Sequence, residues 1–204
     1  IIKEIKDEAL KHETELSKMA NEETGFGRWE DKVIKNRLAA EGVYESIKDM
    51  KTVGIINECS EKEIIEIGVP MGIIAALIPS TNPTSTTIFK ILISLKAGNA
   101  VIISPHPNAK NCIIKTAEYL IKAAERRGAP KGLIGVIKTP TLQATNELMK
   151  HKLTSLILAT GGEAMVQAAY SSGTPAIGVG PGNGPSFIER SANVKKAVTR
   201  ILAS

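Results

Sequence analysis

Residues 72–88 read GIIAALIPSTNPTSTTI, and this stretch decides the fold. The continuous apolar run Ile73–Ile78 is typical of a strand that is buried on both faces of a parallel sheet. Asn82 and Pro83 then indicate a helix start, because asparagine is favoured as an N-cap and proline at the first helical position. The stretch therefore predicts a strand, a polar loop and a helix in immediate succession.

The same succession recurs along the chain. Polar loops at 104–107 and 160–162 follow further apolar runs, and strands are predicted at 100–103, 134–137, 156–159 and 176–179. Strands that alternate with helices predict βαβ units. Right-handed crossovers would gather them into one doubly wound parallel sheet, a Rossmann-like α/β fold.

The chain is predicted to divide into N-terminal helices, a β-hairpin and a Rossmann-like domain, over residues 1–51, 52–69 and 70–204. The helices are expected at 2–20 and 28–50 and to pack on the Rossmann-like domain. Apolar residues recur at helical spacing in the second helix and only loosely so in the first. The hairpin strands are expected at 52–56 and 63–69, joined by a polar turn that contains Cys59.

Cap residues are predicted to mark the ends of helices in the last domain. Asn108 is predicted to cap a helix that carries Cys112 on its inner face and ends at Gly128, and Asn193 to start the final helix.

The apolar isoleucines of the hairpin make it a candidate contact between copies of the chain.

Composition narrows the class of protein. Of 204 residues, 43% are hydrophobic but only 3% are aromatic, so the core depends on aliphatic side chains. Lys and Arg exceed Asp and Glu by 26 to 21. The basic residues are dispersed and lack interleaved aromatics, which indicates a solvated surface rather than a nucleic-acid site. Attraction of phosphate-bearing cofactors is the alternative interpretation.

Cysteine usage and hydropathy indicate a cytoplasmic protein. Cys59 and Cys112 have neither metal-site spacing nor the density of a disulfide scaffold. Apolar runs are far shorter than the roughly 20 residues that span a membrane, so no membrane association is expected. Three scattered histidines, His12, His106 and His151, define neither a hydrolytic triad nor a metal site.

Two interpretations stay open for the polar loops, which lie where α/β proteins bind ligands. Asn82 is either an ordinary helix cap or an amide that donates to a developing oxyanion. Gly161 and Gly162 either permit close packing or allow a cofactor to approach a helix N-terminus. The run GVGPG at 178–182 is a weak dinucleotide fingerprint, because Pro181 and the following residues make a turn.

Four stretches occur in an order that resembles a known family. They are 78–86, 104–107, 159–162 and 169–183, with Glu23-Thr24-Gly25 and Glu30-Asp31-Lys32 upstream. Together they resemble the CoA-acylating branch of the aldehyde dehydrogenase superfamily. That branch includes acetaldehyde and propionaldehyde dehydrogenases and the N-terminal half of bifunctional aldehyde-alcohol dehydrogenases.

The resemblance implies a reaction and a set of site residues. A cysteine thiolate attacks the aldehyde, hydride passes to NAD, with NADP as the alternative, and coenzyme A removes the acyl group. Asn82 resembles the oxyanion asparagine. The implied cofactor-binding residues are Ser80, Thr81, Ser104, Pro105, His106, Thr160, Gly161, Gly162, Gly178, Val179 and Gly180.

The absence of a carboxylate at Gly178 favours transfer to CoA. The hydrolytic branch has a glutamate at about this place that activates water, and without such a base a thiol is the better nucleophile. The resemblance places the nucleophilic cysteine beyond Ser204. Cys59 and Cys112 are assigned to structure, so the fragment alone is expected to be inactive.

Two other functions remain as alternatives. A glutamyl-phosphate reductase would share the fold, and a non-catalytic nucleotide-binding or assembly module would explain a chain without its nucleophile. The expected partners of the full protein are a small aldehyde, CoA and further copies of itself. The expected location is the cytoplasm, or a bacterial microcompartment within it.

Overall fold

Seven strands in the described part of the chain form two sheets. The computed structural model describes residues 1–180, 182 and 185–202. The strands are β1 (Gly54–Cys59), β2 (Ile64–Gly68), β3 (Ile73–Ile78), β4 (Ala100–Pro105), β5 (Ile134–Val136), β6 (Thr154–Thr160) and β7 (Ala176–Val179). The first two pair antiparallel as the predicted hairpin, and the other five form a parallel sheet.

The parallel sheet has the order β5-β4-β3-β6-β7. Ala76 of the central strand pairs with Ile103 on one side and with Leu158 on the other. The chain builds the sheet outward from β3 to β5 and then crosses back to add β6 and β7. This reversal creates a switch point between β3 and β6 and confirms the predicted Rossmann-like, doubly wound architecture.

Helices surround the sheet. They are α1 (Ile2–Lys11), α2 (Glu13–Thr24), α3 (Trp29–Arg37), α4 (Val43–Ile47), α5 (Pro83–Lys96), α6 (Lys110–Arg126), α7 (Leu142–Lys150), α8 (Glu163–Tyr170) and α9 (Val194–Leu202). A π-helical turn, Leu38–Gly42, joins α3 to α4, and a 3-10 turn, Pro107–Ala109, precedes α6. No helix among the described residues is long and apolar enough to cross a membrane.

Several predicted boundaries were wrong. The helix expected at 2–20 is two helices that break at His12, and the helix expected at 28–50 contains the π-helical turn. Cys59 is the last residue of β1 and not part of the turn. Helix α7 was not predicted at all.

Alternate side chains of β3 pack into two separate cores. Ile74, Ala76 and Ile78 belong to a cluster with residues of α1, α2, α5 and α6. Ala75 and Leu77 face the other way, into a cluster with residues of α7 and α8. Because side chains alternate along a strand, a strand covered on both faces must be apolar throughout. This explains the uninterrupted run that signalled the fold.

The start of α6 is capped from a distant helix. The carboxylate of Glu23, at the end of α2, accepts hydrogen bonds from the backbone N–H groups of Asn111 at 2.9 Å and Cys112 at 2.8 Å. A carboxylate at a helix N-terminus accepts hydrogen bonds from the free backbone N–H groups, and its negative charge is attracted to the positive end of the helix dipole. The prediction that Asn108 caps this helix was therefore wrong, since Asn108 lies in the preceding 3-10 turn.

Lys90 joins α5 to the two strands that flank the switch point. Its side chain is only 3% exposed. Its Nζ donates to the carbonyl oxygens of Leu77 in β3 and Leu158 in β6, each at 2.7 Å. Burial lowers the pKa of Lys90 to about 7. The ammonium form is therefore costly in the folded protein but not in the unfolded chain.

We expect the pH dependence of stability to report this burial. The unfolded state binds the Lys90 proton up to its ordinary pKa, whereas the folded state releases it near pH 7, so stability should rise with pH between them. Lys90→Met lacks this dependence. The stability advantage of the wild type over Lys90→Met should therefore grow by up to about 1.4 kcal/mol per pH unit between pH 7.5 and 9.5.

Urea denaturation of both proteins across this pH range measures the difference. Other titrating groups are common to the two proteins and cancel. A difference in unfolding free energy that stays constant with pH would show that Lys90 keeps its ordinary pKa when folded.

Candidate functional site

A cleft of about 810 Å³ lies at the carboxyl ends of β3, β4 and β6. The loops at 79–82, 104–107 and 160–162 form most of its wall. Two of these loops follow β3 and β6, which flank the switch point, and the third follows the neighbouring strand β4. Open parallel sheets bind ligands at this place. Its volume is within the range of small-molecule sites.

The cleft brings together most of the predicted site residues. It is lined by Ser80, Thr81, Asn82, Ser104, Pro105, His106, Thr160, Gly161, Gly162 and Gly180. Gly178 and Val179 are not among its lining residues. Pro181, Asn183 and Gly184, on which the turn interpretation depended, lie outside the described residues.

Sequence reasoning missed the wall contributed by α7 and α8. Thr141, Leu142, Thr145, Ala164 and Met165 also line the cleft. Thr141 is the N-cap of α7, and its Oγ1 accepts from the N–H of Ala144 at 3.0 Å. A threonine followed by a short amphipathic run was the available signal, but α7 has only nine residues, fewer than the roughly 11–18 over which helical periodicity is read.

Hydrogen bonds hold the loop after β4. The buried hydroxyl of Ser104 lies 3.0 Å from the hydroxyl of Thr145, which ties β4 to α7. Nδ1 of His106 accepts from the backbone N–H of Asn108 at 3.1 Å. In the neutral ring the proton is then on Nε2, which is free to donate. This part of the wall is polar but carries no carboxylate.

Asn82 is at the N-cap position of α5, but its side chain makes no capping hydrogen bond. The interpretation of its side chain as an ordinary helix cap was therefore wrong. Its Oδ1 instead accepts from Nζ of Lys35 at 3.1 Å. Because an ammonium group can only donate, this contact requires the amide oxygen to face Lys35 and leaves the NH₂ group as the remaining donor.

A second lysine of α3 holds the backbone of the same loop. Lys32 is 5% exposed, and its Nζ donates to the carbonyl oxygen of Thr81 at 3.0 Å. Burial lowers the pKa of Lys32, and the positive charge of Lys35 lowers it further. The loop is thus held at two adjacent residues from one helix.

The two glycines after β6 are not explained by crowding. A Cβ atom on Gly162 would meet no atom within 4 Å, and one on Gly161 would approach Met165 only to 3.5 Å. Gly162 immediately precedes α8, so the backbone of the cleft is open at a helix N-terminus. This favours the interpretation that a ligand approaches here over the packing alternative.

Comparison with known proteins identifies the family. The sequence model of the aldehyde dehydrogenase family matches residues 1–204.

The chain belongs to the aldehyde dehydrogenase family.

Three relatives place it more closely among aldehyde dehydrogenases. The bifunctional aldehyde-alcohol dehydrogenase AdhE of Escherichia coli K12 is 53% identical over 189 residues, which are 93% of this chain and 21% of that protein. An acetylating aldehyde dehydrogenase from Geobacillus thermoglucosidasius has a similar structure, with a TM-score of 0.90 and 58% identity over all of this chain and 45% of that one.

A propionaldehyde dehydrogenase from Rhodopseudomonas palustris, solved with bound CoA and an acylated cysteine, has a TM-score of 0.79 and 35% identity. The match covers 98% of this chain and 46% of that one. The chain therefore spans about a fifth of the aldehyde-alcohol dehydrogenase and less than half of the two solved aldehyde dehydrogenases.

Gly178 is packed beneath an aromatic ring. Its N–H donates to the hydroxyl of Tyr170 at 3.0 Å. A Cβ at this position would lie 2.6 Å from Cγ1 of Val166 and 2.9 Å from Cε2 of Tyr170. A glycine fits here without rearrangement, because side chains of α8 approach β7 closely. Any side chain at this position, a carboxylate included, would have to displace both Tyr170 and Val166.

We expect Gly178→Ala to destabilise the protein by about 1–3 kcal/mol, because the new methyl group overpacks the contact between α8 and β7. Gly180→Ala is the matched control, since a Cβ there meets no atom within 4 Å. Urea denaturation measures both. Equal losses at the two positions would show that crowding does not distinguish them.

Proposed function

We propose that the protein containing this chain is a CoA-acylating aldehyde dehydrogenase. It would convert an aldehyde, oxidised nicotinamide cofactor and CoA into an acyl-CoA thioester, reduced cofactor and a proton. The observation that carries the proposal is the cleft at the switch point, in which Asn82 is held with its amide oxygen turned to Lys35. The acetylating and CoA-bound relatives support it.

Asn82 is proposed to stabilise the oxyanion. When a thiolate attacks an aldehyde, the carbonyl oxygen gains negative charge, and a fixed donor lowers the energy of that state. The contact with Lys35 occupies the amide oxygen of Asn82 and leaves its N–H groups to donate. The attacking thiolate would come from the part of the protein beyond this chain.

The remaining walls fit a nicotinamide dinucleotide. When bound, such a cofactor accepts hydride from the substrate. Gly161 and Gly162 leave open space beside the N-terminus of α8, where a pyrophosphate is favoured. We propose that Ser104, Pro105 and His106 face the adenosine end of the cofactor and that Thr160 faces the nicotinamide side. Among the described residues, none that lines the cleft is acidic.

The absence of acidic groups bears on cofactor choice and on the fate of the acyl group. We propose NAD as the cofactor. Because no carboxylate stands at the end of β4 to repel a 2′-phosphate, NADP should also be accepted. The described lining residues include no carboxylate that could activate water either. A thiol needs less activation than water, so CoA is the proposed acceptor.

The hairpin is proposed as a contact between copies of the protein. Ile65 is 59% exposed and Ile67 is 61% exposed, and the hairpin pairs with no further strand among the described residues. Apolar edges of this kind are usually covered. Sedimentation of the intact protein tests the oligomer. We also propose the domain division at 1–51, 52–69 and 70–204. The proposed location of the protein is the cytoplasm, either free or enclosed in a bacterial microcompartment.

The first experiment measures NADH formation by the intact protein from acetaldehyde and propionaldehyde, with and without CoA. Turnover should require CoA, because none of the described residues that line the cleft is a carboxylate that could act as the general base for water. Parallel assays with NADP+ test the cofactor proposal. CoA-independent turnover would contradict the proposed acceptor. Cofactor binding without turnover of either aldehyde would favour the non-catalytic module, and turnover of an acyl phosphate would favour a reductase of the glutamyl-phosphate type.

Substitution of Asn82 tests the oxyanion assignment in the same protein. Asn82→Ala should lower kcat by about 10²–10³-fold, as the loss of an oxyanion donor does elsewhere. Asn82→Asp keeps the shape but removes the donor, so its loss should be at least as large. The KM for NAD+ should change little in either variant. A kcat within about twofold of wild type would remove Asn82 from the mechanism.

A further inference from the structure

Two lysines of α3 hold two consecutive residues of the loop that follows β3. Nζ of Lys32 donates to the carbonyl oxygen of Thr81 at 3.0 Å, and Nζ of Lys35 donates to Oδ1 of Asn82 at 3.1 Å. Residues three apart on a helix share a face, so one surface of α3 presents both ammonium groups. The contacts join parts of the chain that are 49 and 47 residues apart.

The two contacts differ in kind. Lys32 is buried and holds the backbone of the loop, so its loss would move the loop as a whole. Lys35 is exposed, and its hydrogen bond to this loop goes to the side-chain oxygen of Asn82. The backbone of Asn82 is already fixed by the start of α5, where its carbonyl oxygen accepts from the N–H of Thr86 at 3.2 Å. Lys35 therefore acts on the orientation of one amide group.

The helix that carries Lys35 is itself firmly placed. Asn36, the next residue, is 1% exposed. Its Nδ2 donates to the hydroxyl of Ser17 in α2 at 2.9 Å, and its Oδ1 accepts from the hydroxyl of Thr84 in α5 at 2.8 Å. These buried bonds fix α3 against the first turn of α5. Lys35 thus reaches Asn82 from a rigid support.

An asparagine amide has two orientations that exchange its oxygen and its NH₂ group. An ammonium group next to the amide can donate only to its oxygen, so it stabilises the orientation in which that oxygen faces the ammonium group. A charged donor on the oxygen also polarises the amide, which makes its N–H groups stronger donors. Without that neighbour, both orientations and other rotamers become accessible.

We propose that Lys35 is a positioning residue for Asn82. It selects and holds the amide orientation in which the NH₂ group is available to an oxyanion in the cleft. It does not itself touch the reacting atoms. This inference rests on the proposed function, because it assigns Lys35 to the oxyanion step of that reaction.

The kinetic test uses the intact protein and a double-mutant cycle. Lys35→Met should lower kcat about tenfold, the effect expected when a charge-assisted hydrogen bond is lost, with KM for aldehyde and NAD+ nearly unchanged. Lys35→Arg keeps a charged donor and should retain most of the rate. In the Asn82→Ala background, Lys35→Met should have no further effect, because the residue through which it acts is gone.

Lys51→Met is the matched control, an exposed lysine beyond α4 that should leave kcat unchanged. A Lys35→Met protein with wild-type kcat would overturn the proposal. So would an equal loss in the presence and absence of Asn82, since Lys35 would then act on the substrate or cofactor directly.

A crystal structure of the intact Lys35→Met protein supplies a readout that does not depend on turnover. The Asn82 side chain should occupy more than one conformation, while the backbone of residues 80–82 stays in place because Lys32 still holds it. A single, unchanged Asn82 conformer would overturn the proposal. If the wild type shows no CoA-dependent turnover yet Asn82 loses its single conformer in the variant, the positioning role holds and the proposed reaction fails.

Discussion

The burial of β3 on both faces is the constraint on which the rest of the structure depends. A strand that packs against helices on each side is mainly apolar, and in β3 polar groups first appear where the strand ends. That end lies beside β6 at the switch point, and the cleft forms there. The buried amine of Lys90 is subject to the same constraint, since it finds its hydrogen-bond acceptors in carbonyl oxygens of the strands. The apolar strand and the polar loop are thus two consequences of one position in the sheet.

The N-terminal helices do more than cover one face of the sheet. Glu23 caps α6, while Lys32 and Lys35 hold the loop before α5. Each contact places a charged side chain at a helix start or in an adjacent loop. Without it, the conformation of that segment would depend only on its own short sequence. A carboxylate satisfies free N–H groups, and ammonium groups satisfy a carbonyl and an amide oxygen. The geometry of the cleft therefore depends on residues far from it in sequence.

This distribution explains what could be predicted from the sequence. The strands and their order of appearance follow from local apolar runs, and ten of the predicted site residues line the cleft because strand ends of a parallel sheet must meet. Asn108 was misassigned because an asparagine before a helix is a good local cap, whereas the actual cap, Glu23, is 88 residues from Asn111. The same reason hid Lys35. Local patterns carry no record of contacts between distant segments.

Gly162 and Gly178 show why a glycine needs its surroundings before it is assigned a role. The space around Gly162 is open, so packing would allow a side chain at this position. The absence of one suits a surface that a ligand approaches. Gly178 is closed in by Tyr170 and Val166, so a side chain is excluded by packing. A carboxylate that could activate water would have to enter that closed contact. The proposed preference for a thiol acceptor over water is thus supported by how closely α8 packs on β7 as well as by the identity of the residue at this position.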